Sequence, residues 1–262
     1  MSVAAAAQNL FEAWAYWTAL GLVRPFAFAL FFAAFFWMNL GGGMLRMAFA
    51  LAVLLPALSP DTPQHAPDEL ALPYFAAVVK EFLIGGSLGF AASAPFAVAA
   101  AAGGIVDLYR GAGEADPDPA GGQLSSFGVL LSVATLWLFA NAHGFEIVSG
   151  LIYASYRLWP VQSPFPLFSG GADAFLTVLE AVGLGALVLA GPLLTVMFLS
   201  DLVHLASAKF GKNINVSYLA FSNKNVVFAL VAPFTMLVAV HAVRGHLALL
   251  GTSLDVLREA FR

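Results

Sequence analysis

The chain has 262 residues, a formal charge of −4 and no cysteine, and is 61% hydrophobic but only 10% charged. This composition excludes a disulfide framework, a thiol nucleophile and a cysteine metal site, and it supplies no basic face to neutralise nucleic-acid phosphates. Soluble domains carry about 25% charged residues, so membrane lipid or partner subunits must cover much of the apolar surface here.

The first basic residue is Arg24, preceded by Gln8, Asn9 and Glu12. A secretory signal needs a basic region ahead of its apolar core, so the first hydrophobic segment is expected to stay in the mature protein. That segment, Ala13 to Leu40, is long enough to cross a bilayer core, which takes about 20 residues. It is interrupted once, by Arg24-Pro25. A central membrane arginine costs about 2.5–3.5 kcal/mol on insertion scales. Arg24 is therefore read as an interfacial side chain with its stem in the apolar layer, or as a subunit contact. Gly41-Gly42-Gly43 breaks the segment, and a short apolar run follows from Arg46 to Leu58. Pro60, Pro63, Pro67 and Pro73 then mark an exposed loop.

The third segment runs from Tyr74 to Val106. Adjacent residues on a helix point about 100° apart, so Lys80 and Glu81 are expected to meet different partners, on another helix, on a subunit or at the interface. Gly85, Gly89, Ser93, Ala97 and Ala101 recur at every fourth position, a small-residue stripe that lets another helix approach closely. Gly85-Gly86-Ser87-Leu88-Gly89 also fits G-x-S-x-G, but a nucleophile elbow needs a strand-turn-helix context. An intramembrane serine protease would in turn need a histidine near Ser87, from His204, His241 or His246. Helix packing accounts for the same glycines with fewer assumptions.

Residues 103–128 form a polar interruption between two uncharged runs. Asp107 and Arg110 are three apart, so they can pair on one helical face and fix a stem. Beyond them come Gly111, Ala112, Gly113, Glu114, Ala115, Asp116, Pro117, Asp118, Pro119, Ala120, Gly121 and Gly122. Small and acidic residues let this stretch fold into a narrow space and leave it without a large desolvation cost. Its Asp-Pro pairs can start the next helix. The residues alone leave two uses open, a displaceable plug or an exposed connection.

A fourth segment, Leu124 to Val148, carries His143 and Glu146 at hydrogen-bonding spacing; two such ligands do not make a metal site. Tyr153, Tyr156, Arg157 and Trp159-Pro160 mark an interfacial turn. The fifth segment, Phe175 to Ala208, holds Pro192 as a kink. Its Asp201 is read as an interface or capping acid, with a proton relay as the less favoured use. Lys209, Lys212 and Lys224 follow, then a sixth segment from Asn225 to Val243. Residues 252–262 read as a short terminal amphipathic helix opened by a Thr252–Asp255 capping box. A simple serpentine of six spans would put Arg46, Arg110, Lys209, Lys212 and Lys224 on one side and Arg157, Arg244, Arg258 and Arg262 on the other. Five against four is no bias, so the positive-inside rule does not support direct crossing by all six.

Several short motifs, in this order, carry a resemblance that covers nearly the whole chain. They are Arg24-Pro25, Lys80-Glu81-Phe82-Leu83-Ile84-Gly85-Gly86, Gly104 through Asp107 to Arg110-Gly111, and Asp116-Pro117. Tyr153-x-x-Tyr156 before Trp159-Pro160, Pro192 through Asp201, and Asn213-Ile214-Asn215-Val216 complete the set. The sequence resembles the T subunit of the bacterial type III secretion export apparatus, the SctT/SpaR family, related to flagellar FliR. The Asp107 to Arg110-Gly111 run and the Trp-Pro turn look more like injectisome members. Tyr109 departs from the pattern, which leads one to expect glutamine there.

The resemblance implies an all-α, non-enzymatic subunit, residues 1–262, in the bacterial inner membrane at the base of the secretion apparatus. It implies assembly with the R and S subunits into a helical gate for unfolded secreted proteins, with the U-type switch protein wrapped around it. Residues 111–122 would then help to plug the pore. No cofactor is implied. A secondary transporter, suggested by Pro192, Pro233 and the intramembrane charges, is the alternative.

Overall fold

The computed structural model describes residues 3–37, 43–54, 73–111, 125–164, 171–208, 223–234 and 236, and all the regular structure among them is helical. The helices are α1 (Val3–Phe31), α2 (Ala33–Trp37), α3 (Gly43–Leu54), α4 (Tyr74–Ala92), α5 (Ala94–Tyr109), α6 (Ser126–Asn141), α7 (Gly144–Leu158) and α8 (Gly171–Ala208). Residues 223–234 are helical as well. The chain divides into two compact units, one of Met1–Ser93, His143–Thr177 and Leu249–Arg262, the other of Ala94–Ala142 and Val178–Ala248. The Pro-rich run up to residue 72, the segment 112–124, Lys209 and Lys212, and the terminal stretch 252–262 lie outside the described residues.

In the first unit α1 packs along α4. Gly85 lies against the Arg24 carbonyl and Gly89 against the Phe28 carbonyl. The Ser93 hydroxyl lies 2.9 Å from the Phe31 carbonyl and accepts the Ala33 amide at 2.8 Å. Residue numbers rise together on the two helices, so they run parallel. Their backbones approach closely because Gly85 and Gly89 have no Cβ; a methyl group at either would overlap the facing carbonyl oxygen. Phenylalanines fill the space around this seam, with Phe28 and Phe32 ring centroids 5.2 Å apart and Phe35 and Phe49 5.0 Å apart.

Helix α1 continues through Pro25, although proline cannot donate to the carbonyl four residues back. That carbonyl belongs to Gly21, and the Tyr156 hydroxyl donates to it at 2.7 Å. A side chain from α7 thus replaces the lost backbone hydrogen bond and keeps the helix intact. The helix is continuous where Arg24-Pro25 interrupts the apolar run.

In the second unit α5 and α6 form an antiparallel hairpin. Gly103 meets Gly128, and further along the Phe96 and Phe139 rings lie 5.6 Å apart, edge to face. Val106, Phe127 and Leu131 are buried together with Leu193 and Met197 of α8, and Phe228 and Val231 of the helical residues 223–234 pack against them.

Three expected segments are divided. The first segment breaks at Phe32, between α1 and α2. The third breaks at Ser93, and the fourth breaks at Ala142–His143, where His143 takes a left-handed backbone with φ 56°. Among the described residues two helices are long and apolar enough to cross a membrane, Tyr74–Ala92 and Phe175–Ser207, or three spans if α6 and α7 count as one. Length accounts for only part of the gap between this count and six apolar segments, since α1, with 29 residues, is not among the two and the sixth segment lies partly outside the described residues. Helix α3 has 12 residues and α5 has 16, short of the roughly 20 that a bilayer core requires. Only 28% of the apolar window of Phe175–Ser207 is buried by the chain itself, so lipid or other subunits must cover the rest.

Candidate functional site

Two groups of charged side chains stand out, one in each unit. In the first unit Arg24, Lys80 and Glu81 are all 0% exposed. The Arg24 guanidinium grips Glu81 with two prongs, Nε to Oε2 at 2.7 Å and Nη2 to Oε1 at 3.0 Å. Its other donors reach Ser155 Oγ at 3.0 Å and the Trp159 carbonyl at 2.8 Å. The Tyr156 ring packs 4.1 Å beneath the guanidinium carbon. Lys80 Nζ lies 3.2 Å from Glu81 Oε1 and donates to the carbonyls of Pro160, Val161 and Ser163 at 3.1, 2.8 and 3.0 Å.

Two sequence expectations are corrected here. Arg24 is not an interfacial side chain, and neither it nor Lys80 nor Glu81 lies at a surface that another subunit can reach. Lys80 and Glu81 also touch each other. Their Cβ atoms diverge around the helix, but the four-carbon lysine stem is long enough to bring its ammonium back to the carboxylate. A buried cation needs a charge partner and saturated donors, and this chain supplies both internally. In the Trp159-Pro160 turn, Trp159 is 8% exposed and its carbonyl belongs to the network, whereas Arg157 and Pro160 are exposed.

The group in the second unit lies at the end of α5. Asp107, 2% exposed, accepts from Arg110 Nε at 2.7 Å. The same carboxylate accepts the Ser125 hydroxyl and, at 2.9 Å, the Phe127 amide. Ser125 in turn caps α6 by accepting the Gly128 amide at 2.9 Å. One acid therefore holds the last turn of α5 and the Phe127 amide at the start of α6, where the positive end of the helix dipole favours a negative charge. The Arg110 guanidinium lies 4.1 Å over the Phe228 ring, whose centroid is 5.0 Å from that of Phe127.

On another side of the same turn, the Tyr109 hydroxyl donates to Asp201 Oδ2 at 2.8 Å. Lys224 Nζ stands 3.1 Å from that oxygen and 4.7 Å over the Tyr109 ring. The Tyr109 phenol lies outside both candidate spans and is pushed up to about 12, first by burial and then by its bond to the Asp201 carboxylate. It remains a donor throughout the physiological pH range. Asp201, expected at a subunit interface or cap, thus has partners within its own unit.

The placement of the remaining candidates is mixed. Of the small-residue stripe, Gly85, Gly89 and Ser93 face α1, whereas Ala97 is half-buried and Ala101 is exposed on α5. The break at Ser93 ends the register. Ser87 lies inside α4 with its hydroxyl bonded to the Ile84 carbonyl at 2.9 Å, so the strand-turn-helix context of an elbow is lacking. His143 and Glu146 do pair, at 3.1 Å, in an exposed position. Of residues 111–122 only Gly111 is described; it has φ 75°, a conformation that suits glycine at a helix end. Sequence reasoning missed Ser125, the contacts of Tyr156 with Gly21 and Arg24, and the Gly103–Gly128 contact. Ser125 carried a signal, a capping residue directly ahead of an apolar run.

Substituting Asp107 by alanine removes three hydrogen bonds and leaves the Phe127 amide buried without an acceptor. The expected loss is about 2–3 kcal/mol, read as a lower thermal unfolding midpoint in detergent, with Asp107→Asn falling between the variant and the native chain.

Comparison with known proteins adds the following. The model of the family described as bacterial export proteins, family 1, matches residues 15–250. The Yop proteins translocation protein T of Yersinia pestis is 33% identical over 197 residues, covering 73% of this chain and 74% of that protein. The surface presentation of antigens protein SpaR of Shigella flexneri is 31% identical over 164 residues, 61% of this chain and 60% of that one. The secretion system apparatus protein SsaT of Salmonella typhimurium is 28% identical over 151 residues, 56% of this chain and 58% of that one.

Proposed function

The chain belongs to the bacterial export proteins, family 1, as a member of the SctT/SpaR family of the type III secretion export apparatus, and we propose that it is a non-enzymatic subunit of the gate through which unfolded proteins pass. It works in the bacterial inner membrane with the R and S subunits and the U-type switch protein, in an assembly that accommodates all six apolar segments. Residues 111–122 act as a plug that helps to close the pore.

The observation that carries this reading is the Asp107 clamp. Residues 112–124 leave one helix and enter the next at a base where a single carboxylate binds both helix ends. A segment displaced by a passing polypeptide needs such a base, because the hairpin must survive each displacement. Asp107 and Arg110 supply it, and Glu114, Asp116 and Asp118 give the segment side chains that hydrate readily once displaced. The large uncovered face of Phe175–Ser207 supports burial in lipid or among partner subunits. Energy for export comes from elsewhere in the apparatus, since the sequence has no phosphate-binding loop.

Deleting residues 111–122 is expected to raise the ion conductance of the complex assembled with its partner subunits several-fold, measured in planar bilayers. Unchanged conductance in a complex of full composition would remove the plug from this reading and leave gate membership standing.

A further inference from the structure

The three carbonyls around Lys80 have an arrangement that the export function does not require. Helix α7 ends at Leu158, and the chain then turns so that the Pro160, Val161 and Ser163 carbonyls all point at one spot, occupied by the Lys80 ammonium. Glu81 Oε1 adds a fourth oxygen at 3.2 Å. Four oxygens between 2.8 and 3.2 Å around one fully buried positive nitrogen is the coordination of a monovalent cation site. Here the cation is tethered to the protein by a lysine stem.

The charge count points the same way. Arg24 and Lys80 contribute two positive charges and Glu81 one negative, all at 0% exposure. Among the described residues, the two buried cations share this one carboxylate. The dipoles that offset the second positive charge are the carbonyls after the last turn of α7, the negative end of that helix, together with the Trp159 carbonyl on Arg24. The carbonyls in turn need the cation. The turn of residues 159–163 is also held by the Trp159 amide on the Ser155 carbonyl, by the Ser163 amide and hydroxyl on the Pro160 carbonyl and by Arg24 on the Trp159 carbonyl, but the ammonium is what draws the carbonyls of 160, 161 and 163 to one point.

We propose that residues 160–163 with Glu81 form a built-in binding site for a monovalent ammonium-class cation, which Lys80 occupies from within, and that Lys80 is the positioning residue of this turn by its charge rather than by its bulk. The site has a ligand class that can be offered from solution. Replacing Lys80 by alanine leaves Cβ in place and vacates three methylenes and an ammonium, the size of propylammonium.

The test uses the full chain in detergent and follows hydrogen exchange at the Trp159 and Ser163 amides. Lys80→Ala and the unbranched, uncharged Lys80→Met should each speed exchange there roughly tenfold or more, the effect of losing hydrogen bonds to a charged group. Propylammonium added to Lys80→Ala should restore protection, and 1-propanol, similar in size but neutral, should not. If the alanine variant does not fold unaided, recovery of folded chain on refolding with propylammonium but not with 1-propanol supports the site. Native protection in Lys80→Met, or equal rescue by 1-propanol, would show that the cage needs volume and not charge, and would overturn the proposal.

Discussion

Glu81→Ala is expected to be the most damaging single substitution in the chain, lowering stability by about 3–5 kcal/mol. Among the described residues, Glu81 is the only anion of the three fully buried charges. Removing it leaves the Arg24 fork without its carboxylate and places two cations in the same low-dielectric space with only carbonyl dipoles to hold them. A typical folded domain is stable by about 5–15 kcal/mol in all, so this loss approaches the whole margin of the first unit. The measurement is the yield of folded chain after membrane extraction, together with its thermal unfolding midpoint. Glu81→Gln keeps the shape but not the charge and should recover only part of the loss. The decisive comparison is the double variant Arg24→Met with Glu81→Met. Removing both members of the pair takes away the desolvation cost along with the attraction, and leaves Lys80 with its carbonyls. The double variant should therefore be more stable than Glu81→Ala alone, a strong departure from additivity between contacting residues. Simple addition of the two single effects would mean that Arg24 and Glu81 do not act as a pair.

The residues that make this network were all visible in the sequence, yet their meeting was not. Composition and hydropathy were enough to read an all-helical, membrane-associated chain, and the order of the short motifs was enough to place the family. What the pattern could not supply is contact between distant positions. Arg24 bonds to residues 57, 131 and 135 positions away, and no local periodicity encodes such pairings. Adjacent residues on a helix diverge at Cβ, a rule that holds for short side chains; it failed for Lys80 and Glu81 because a long stem can turn back. The hydrogen bond that Pro25 forfeits is local, whereas the donor that replaces it, Tyr156, lies far along the chain. The Asp107–Arg110 pair was legible because it is local, three residues apart on one helix. Its further partners, Ser125 and the Phe127 amide, were not, because they depend on how the hairpin closes.

Gly103→Ala should separate the two helices of that hairpin, whereas the same change at the next residue should do nothing of the kind. A methyl group on Gly103 would overlap Gly128 Cα and N and crowd the Phe127 carbonyl carbon. These are backbone atoms, so no side chain can rotate to make room; one helix must shift. Overpacking of this type costs about 1–3 kcal/mol and at times more. The shift also falls at Phe127 and Gly128, the first turn of α6, whose Phe127 amide is held by Asp107. The Asp107 clamp would therefore be strained along with the packing, which puts the expected cost at the upper end of that range. Gly104 has nothing within 4 Å of the corresponding position, and alanine is favoured over glycine in a helix by about 1 kcal/mol. Gly104→Ala should accordingly be neutral or mildly stabilising. Thermal unfolding of the two variants side by side makes the comparison, since both add the same methyl group to the same helix. If Gly103→Ala unfolds at the same temperature as Gly104→Ala, the backbones of α5 and α6 are not in contact at Gly128. The hairpin that fixes the base of residues 112–124 would then be held by Asp107 and by side-chain packing such as Phe96 on Phe139, without a backbone approach.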